Sequence, residues 1–302
     1  MNSLVIGTRS SPLALAQTEI IRSLLQSTHP DLPVEIKIIK TSGDTFTTLS
    51  LVAGGGKGLF TKEIEDQLLC GEIHVAVHSM KDLPTVLPEG LMIGAVPPRE
   101  NARDVFISKE FGSLEELPKG SRVATSSIRR KAQLLARRAD LRIEEIRGNV
   151  ETRLRKLAEN ESLDALILAA AGLRRLGLWD KDPNFRWQQI GFEEMIPAVG
   201  QGALACEVRG DDGATRALLS KINDENTAAC TTAERAFLRS LGGGCQVPYA
   251  AHATVDGEQL HLIGATFGLD GSNASRIQVV GSKTDPREVG ERAAKQVKLS
   301  GT

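Results

Sequence analysis

The strongest constraint on the fold is the alternation of short apolar runs with helix-type segments along the first 80 residues. Apolar runs at 4–7, 34–39 and 73–78 have the length of buried strands, and segments with helical spacing separate them. The order strand, helix, strand, helix, strand favours a parallel sheet joined by right-handed crossovers. The sequence therefore predicts an α/β fold whose functional loops follow the carboxyl ends of strands.

A second cycle of the same kind begins after the Pro97-Pro98 pair. Strands are predicted at 105–108, 122–125, 142–146 and 165–169, with helices at 127–138 and 150–160. The segment 197–202 resembles a second crossing, and a strand follows it. Two α/β lobes joined by two crossings predict a cleft with a hinge, and a final segment starts near Asn223 with a helix.

Composition excludes several classes of protein. The 302 residues suggest roughly two domains, with one or three possible. With 37 basic and 38 acidic residues, bulk attraction to nucleic acid or anionic membrane is not expected, and 4% aromatics are few for base stacking. No apolar run approaches the ~20 residues of a membrane span. Four scattered cysteines predict neither a disulfide framework nor a zinc cluster.

Cys245 follows three consecutive glycines, 242–244. Glycine has no Cβ, so such a loop bends freely and lets other groups approach its backbone. A cysteine placed for packing more often lies inside an apolar strand or helix. By itself the loop is weak evidence for a thiol that is used in chemistry, and it becomes strong only when read together with the stretches 78–82 and 120–130.

Asp82 comes just after the predicted strand 73–78, beside Lys81. A carboxylate at the end of a strand can act as a general acid or base, or can stabilise a developing cation. An aspartate that caps a turn is the common alternative.

Arginines recur where predicted strands give way to helices. Arg129 and Arg130 lie in the first turn of a helix, where their charge opposes the helix dipole. The same arrangement recurs at Arg147, with Arg153 one turn further on, and at Arg9. Any one of them could be an ordinary solvated side chain. Together they predict a polyanionic ligand, and guanidinium groups suit carboxylates.

Two further patterns are weak. Lys57 lies in a glycine-rich stretch, but Leu51 and Gly58 replace the glycine and hydroxyl of a phosphate loop. His74 and His78 alternate on one strand face without a carboxylate or cysteine at ligand spacing. Core or hydrogen-bonding roles are therefore favoured over metal binding.

Several ordered blocks resemble the hydroxymethylbilane synthase family, also called porphobilinogen deaminase, over nearly the whole chain. The blocks are Gly7-Thr8-Arg9-Ser10-Ser11-Pro12-Leu13-Ala14-Leu15, Gly55-Gly56-Lys57-Gly58-Leu59-Phe60, Val77-His78-Ser79-Met80-Lys81-Asp82-Leu83-Pro84, Thr125-Ser126-Ser127-Ile128-Arg129-Arg130, Arg147-Gly148-Asn149-Val150, Pro197-Ala198-Val199-Gly200-Gln201-Gly202 and Gly243-Gly244-Cys245-Gln246-Val247-Pro248.

The resemblance implies two lobes like type II periplasmic binding proteins around a cleft, plus a small C-terminal α/β domain that carries the cysteine. Domain 1 is expected at 1–97 with 202–219, domain 2 at 98–201 and domain 3 at 220–302.

The resemblance also implies a chemistry. A dipyrromethane cofactor, built from substrate, is attached to Cys245 through a thioether, and no metal is needed. Four porphobilinogen units are condensed onto it with loss of ammonia, and water releases hydroxymethylbilane for tetrapyrrole and haem synthesis. Asp82 is the implied catalytic residue, which binds pyrrole N–H groups and stabilises the azafulvenium cation left by deamination. The implied cofactor-binding residues are Cys245, Lys81, Thr125, Ser127, Arg129 and Arg130, and the implied substrate-binding residues are Arg9, Ser11, Arg147 and Arg153.

Two rival functions stay open on the residues alone. A two-lobed solute-binding protein is disfavoured by the missing signal peptide and by the Cys245 loop. A thiol hydrolase would pair Cys245 with His252 or His78, but the sequence shows no positioned base. For a synthase we expect porphobilinogen as small-molecule substrate, no nucleic-acid or membrane partner, a monomer, and a cytoplasmic location, or an organelle stroma for a processed form.

Overall fold

The computed structural model describes residues 3–42, 61–243 and 247–300. The chain forms two compact units, Met1–Arg99 with Ala203–Ala228, and Glu100–Gly202 with Ala229–Thr302. The chain passes between the units three times, and the first two passages, at 99/100 and 202/203, lie close to the crossings that the sequence predicts. The division into three domains stays a prediction.

The strands and helices are, in chain order, β1 (Leu4–Thr8), α1 (Pro12–Thr28), β2 (Val34–Ile38), α2 (Lys62–Leu69), β3 (Val75–Ser79), β4 (Leu91–Ala95), β5 (Asp104–Ser108), β6 (Arg122–Ala124), α3 (Ile128–Arg137), β7 (Arg142–Glu144), α4 (Val150–Glu159), β8 (Ala165–Ala169), α5 (Ala170–Arg175), β9 (Arg186–Gln189), β10 (Leu204–Arg209), α6 (Gly213–Leu219), α7 (Glu225–Ser240), β11 (Tyr249–Asp256), β12 (Gln259–Thr266), β13 (Ser275–Ser282) and α8 (Pro286–Ser300). Short 3-10 turns follow β3 at Met80–Asp82 and α6 at Ser220–Ile222.

The first unit is built on a five-stranded sheet in the order β2-β1-β3-β10-β4. β1 pairs in parallel with β2 and β3, as predicted. β10 runs antiparallel between β3 and β4, so the sheet is mixed and not purely parallel. The local sequence pattern does not predict that β10 is antiparallel, because β10 comes from a distant segment of the chain and is not preceded by a crossover helix. α1 packs one face through Ile21 and Leu25, and α2 packs the other through Ile64 and Leu68.

The second unit repeats this design in the order β7-β6-β8-β5-β9. Its three parallel strands are again followed by one antiparallel strand, β5, and a fifth at the edge. The sequence shows no close internal repeat. A shared topology needs only the same alternation of apolar and polar positions, which many residue choices satisfy. Leu134 of α3 and Leu157 of α4 are buried against different sets of core residues.

The C-terminal part of the second unit holds an antiparallel sheet, β11-β12-β13, covered by α7 and α8. Phe237 of α7 and Val289 of α8 are fully buried against Leu260 of the sheet. This small α/β layer and the two mixed sheets confirm the predicted α/β class. Among the described helices, none is both long and apolar enough to cross a membrane.

The sequence missed β4, β9, β11, α5 and α6. β9 is half-buried or exposed at a sheet edge, so it lacks the continuous apolar run of a central strand. β11 is rich in alanine, which has low strand propensity. α5 has six residues and α6 seven, too few for a helical period to stand out.

Gly202 ends the second crossing segment in a conformation that favours glycine. Its φ is +89°, and a Cβ there would collide with the carbonyl oxygen of Glu100. The Gly202 carbonyl accepts hydrogen bonds from Glu100 N at 3.2 Å and from Arg175 Nη2 at 2.6 Å. The close approach of the two backbone segments therefore depends on the missing side chain.

We expect Gly202→Ala to lower the free energy of unfolding by about 1–3 kcal/mol, the range for a strained backbone position. Urea denaturation measures the loss. Gly213→Ala is the matched control, because no described atom lies within 4 Å of its added Cβ. The control should be neutral or slightly stabilising, and equal losses in both variants would contradict the prediction.

Candidate functional site

Asp82 ends the short turn that follows β3 in the first unit. Met80 N donates to Ala203 O at 3.0 Å, and Leu83 N donates to Met80 O at 3.2 Å. Met80 and Leu83 are buried with 1% and 3% exposure, whereas Asp82 is exposed. Across the described ranges, the Asp82 carboxylate has no hydrogen-bond or ion-pair partner. The turn is held by its buried neighbours and leaves this carboxylate available to a ligand.

The strand that leads to this turn is fixed by two side-chain contacts. Gln17 Nε2 of α1 donates to Ser79 Oγ at 2.8 Å. His78 Nε2 lies 3.1 Å from Glu207 Oε2 of β10, with exposures of 6% and 0%. His74 accepts a hydrogen bond from Val5 N through Nδ1 at 3.0 Å. Both histidines thus have hydrogen-bonding roles, as the sequence favoured.

Arg9 and Ser11 lie at the same edge of the first sheet as Lys81 and Asp82. They follow β1, which pairs in parallel with β3. The strands of a parallel pair end at the same edge, so these residues lie in loops that follow the carboxyl ends of strands, as the sequence predicts for functional loops. The Ser11 hydroxyl caps α1 by accepting from Ala14 N at 3.3 Å.

In the second unit, hydroxyl groups line the start of α3. Ser127 caps the helix by accepting from Arg130 N at 3.4 Å. Thr125 Oγ1 accepts from Ser127 N at 3.2 Å. The main-chain N–H groups at a helix start form a site that favours anions.

Arg129 and Arg130 are buried beneath this helix start, with 5% and 6% exposure. Both pair with Asp104, which is completely buried. Arg129 Nη2 lies 2.8 Å from Asp104 Oδ2 in an ion pair. Arg130 donates Nη2 to Asp104 Oδ1 at 2.8 Å. The sequence did not reveal this internal partner, and carboxylate binding by the two arginines remains a prediction.

The other two arginines of this unit flank the start of α4. Arg147 pairs with Glu145 at 2.7 Å, and both side chains are largely exposed. Arg153 is half-buried and donates Nε to Gly148 O at 2.9 Å. Burial lowers the pKa of Arg153, and the nearby charge of Arg130 lowers it further. Within the described part of the chain, Arg153 has no carboxylate partner.

The arginines at the starts of α3 and α4 therefore carry more positive charge than their acidic partners balance. Asp104 serves both Arg129 and Arg130, Arg153 has no acid among the described residues, and Arg129 Nε is a buried donor without an acceptor there. A buried unpaired donor costs about 1–3 kcal/mol. Carboxylate groups of a ligand would offset both deficits, so these residues fit a cofactor that bears acidic side chains.

Cys245 and Lys57 lie outside the described residues. The glycine loop begins after α7 ends at Ser240, and β11 starts at Tyr249. Of the cysteines that the structure describes, burial raises the pKa of the Cys206 thiol to about 12, so this thiol is unreactive. Cys230 is buried and Cys70 is exposed at the end of α2.

Glu234 of α7 joins the helix before the cysteine loop to the strand after it. Its carboxylate is fully buried and accepts from Ala253 N of β11 at 2.7 Å and from Gly200 N at 2.7 Å. Glu234, Glu207 and Asp104 were all missed by the sequence analysis. The signal available was an acidic residue within an apolar run, but sequence spacing does not identify its distant partner.

Comparison with known proteins places the chain in a family. Residues 4–217 match the model of the porphobilinogen deaminase, dipyromethane cofactor binding domain, and residues 228–298 match the porphobilinogen deaminase C-terminal domain. The chain belongs to the porphobilinogen deaminase family. The resemblance drawn from the sequence blocks is thereby confirmed, and so is the prediction of a dipyrromethane cofactor, at the level of the family.

Relatives in the family match along the whole chain. A porphobilinogen deaminase of Macrococcus caseolyticus (strain JCSC5402) is 48% identical over 301 residues, covering 100% of this chain and 96% of the relative. A porphobilinogen deaminase of Geobacillus kaustophilus (strain HTA426) is 50% identical over 294 residues, covering 97% of this chain and 93% of the relative. Among solved structures, the methionine binding protein MetQ is 14% identical with a TM-score of 0.43, covering 73% of this chain and 90% of MetQ. The fold class rests on the strand orders described above.

We expect Asp104→Asn to lower the free energy of unfolding by about 3–5 kcal/mol at pH 7, because it leaves two buried arginines without their counter-charge. Burial raises the pKa of Asp104, but the charges of Arg129 and Arg130 outweigh burial and hold the pKa well below its usual range. The stability that Asp104 contributes is thus present above its unfolded pKa of about 3.9 and lost as the pH falls through the folded pKa.

Urea denaturation between pH 7 and pH 2 measures this effect. The difference in free energy of unfolding between the wild type and Asp104→Asn should become smaller below about pH 4. Asp140→Asn is the matched control, because Asp140 pairs with Arg138 at the other end of α3 where both are partly exposed. Its loss should be much smaller. A gap for Asp104→Asn that does not change with pH would contradict the prediction.

Proposed function

We propose that the protein is a hydroxymethylbilane synthase, a transferase that condenses four porphobilinogen molecules onto a dipyrromethane cofactor and releases hydroxymethylbilane by hydrolysis. The observation that carries the proposal is family membership over the whole chain, including the cofactor binding domain at residues 4–217. The surplus of arginine charge in the second unit supports the same ligand chemistry.

The cofactor is held through Cys245, whose thiolate forms the thioether, and through groups that bind its acidic side chains. When bound, it supplies the pyrrole end to which each new ring is joined. We assign its carboxylates to Lys81, Thr125, Ser127, Arg129 and Arg130. The hydroxyls and the α3 N-terminus supply N–H and O–H donors, while the guanidinium groups supply charge.

The growing chain and the incoming porphobilinogen also carry acetate and propionate groups. We assign these to Arg9, Ser11, Arg147 and Arg153. Arg153 is the most informative, because it is half-buried and has no acidic partner in the described ranges. A ligand carboxylate would restore the balance of charge around it.

Asp82 is proposed as the catalytic carboxylate. Its exposed position on a turn fixed by buried Met80 and Leu83 suits a group that meets pyrrole N–H donors. Departure of ammonia leaves positive charge on the substrate, and a fixed carboxylate stabilises such charge.

The proposal also covers the domain bounds, the partners, the oligomeric state and the location of the protein. The three domains are 1–97 with 202–219, 98–201 and 220–302, which is supported by the break between the two family matches after residue 217 and before residue 228. The substrate is the small molecule porphobilinogen, and no nucleic acid or membrane takes part. The protein acts as a monomer in the cytoplasm, or in an organelle stroma if it is a processed form.

Intact mass spectrometry tests the attachment at Cys245. We expect the purified protein to carry a two-pyrrole adduct, and brief exposure to limiting porphobilinogen to add one to four further rings as a ladder of masses. Cys245→Ser should carry neither, because a hydroxyl is a far poorer nucleophile than a thiolate. Cys70→Ser is the matched control and should keep the ladder. Tetrapyrrole formation by a protein whose mass never changes would exclude anchored elongation.

Replacing Asp82 tests its catalytic role. Asp82→Asn keeps the size of the side chain but removes its charge, so turnover should fall at least about a hundredfold, the scale for losing an acid–base group. The urea midpoint should change little, because the side chain is exposed. Steady-state assays with porphobilinogen measure the loss, with Asp66→Asn as a control on α2. Near-normal turnover in Asp82→Asn would exclude this role.

A further inference from the structure

Asp104 is the buried acid on which two adjacent arginines of α3 converge. It lies at the start of β5 with 0% exposure. Its Oδ1 accepts from Arg130 Nε at 3.1 Å and Nη2 at 2.8 Å, and Oδ2 lies 2.8 Å from Arg129 Nη2. Gln201 Nε2 donates to the same Oδ1 at 2.8 Å. One carboxylate therefore fixes two guanidinium groups and the amide of a residue in the crossing segment 197–202.

The main chain holds the rest of this arrangement. Arg129 Nη1 donates to Ile196 O at 2.7 Å, and Arg130 Nη1 donates to Ile167 O at 2.9 Å. Gln201 Nε2 also donates to Ala102 O at 2.7 Å. The two arginines are thus fixed in direction by Asp104 on one side and by carbonyl groups on the other. Such rigid support is what a binding group needs in order to meet its ligand in one geometry.

A purely stabilising ion pair does not explain the composition of this cluster. Replacing a buried ion pair by apolar residues is often neutral or stabilising, so stability alone does not require this cluster. In addition, two buried arginines face one aspartate, which leaves one positive charge unbalanced. Arg129 Nε is buried without an acceptor in the described residues. Burial lowers the pKa of Arg129, partly opposed by Asp104, and the neighbouring charge of Arg130 lowers it further. Within the described residues the cluster therefore has excess positive charge and an unpaired donor, and an added anion would balance both.

We propose that Asp104 is a positioning residue for the reaction. It sets the directions in which Arg129 and Arg130 present their remaining N–H groups to the carboxylates of the cofactor. Through Gln201 it also ties that orientation to the crossing segment. Asp104 itself would repel these carboxylates, so its effect passes entirely through the arginines. This inference rests on the proposed function, because it requires a carboxylated cofactor.

A positioning role and a merely structural role differ in what they change. Loss of structure lowers the number of folded or cofactor-loaded molecules but leaves the rate of each loaded molecule unchanged. A misdirected arginine shifts the bound chain relative to the reacting groups, and a displacement of about 1 Å can lower a rate by roughly a hundredfold. Turnover per loaded molecule therefore separates the two roles.

The test compares the wild type with two variants of Asp104. Asp104→Glu keeps the charge and moves the carboxylate by one methylene, so the folded state should survive even if Asp104→Asn unfolds. Folded protein is isolated by gel filtration, the fraction that bears the two-ring adduct is read by intact mass, and turnover of porphobilinogen is divided by that fraction. Asp140→Asn, which removes an arginine-paired carboxylate at the other end of α3, is the matched control.

We expect Asp104→Glu to lose about tenfold to a hundredfold in turnover per loaded molecule, while Asp140→Asn keeps the wild-type rate. Asp104→Asn, where it folds, should show at least the same loss. Wild-type turnover per loaded molecule in Asp104→Glu would overturn the positioning role alone. A wild-type protein without adduct or turnover would overturn the proposed function, and this inference with it.

Discussion

Parallel pairing of neighbouring strands is the constraint on which the rest of the structure depends. In the first unit β1 and β3 lie side by side in parallel, so the residues after each strand share one edge of the sheet. In the second unit β6 pairs in parallel with β7 and β8 in the same way. Each edge gathers residues that are far apart in sequence. The two units reach this result with different residues and the same pattern of strand directions across the sheet.

Buried charge then decides what each edge can bind. In the first unit buried Glu207 contacts His78, whereas Asp82 is exposed. In the second unit Asp104 balances only part of the charge of buried Arg129 and Arg130. The first edge therefore offers an exposed carboxylate near Arg9 and Lys81, whereas the second offers an excess of cationic donors. These are the two kinds of group that a cationic, carboxylated pyrrole substrate requires.

Much of this could be predicted from local sequence, because much of it is local physics. A helix was expected to begin at Ser127, and this residue caps it. Arg129 and Arg130 were expected in the first turn of a helix, and the conflict of their charge with the helix dipole was the reason to expect an anionic ligand there. Their partner Asp104 was not expected, since it lies more than 20 residues earlier on another strand. The direction of β10 escaped prediction for the same reason, since a pairing between distant segments leaves no periodic mark on either.

The position of β10 inside the first sheet also affects the order in which the protein can be completed. β10 lies between β3 and β4, and its residues Leu204, Cys206 and Val208 belong to the core of the first unit. Until the ribosome has passed residue 209, β3 and β4 each lack a neighbour, and the apolar side chains that β10 covers are open to solvent. The nascent first unit must remain unfinished while the whole segment 100–202 is made. Unpaired strands invite wrong partners, so the chain is most exposed to misassembly and to chaperone capture during that interval of synthesis.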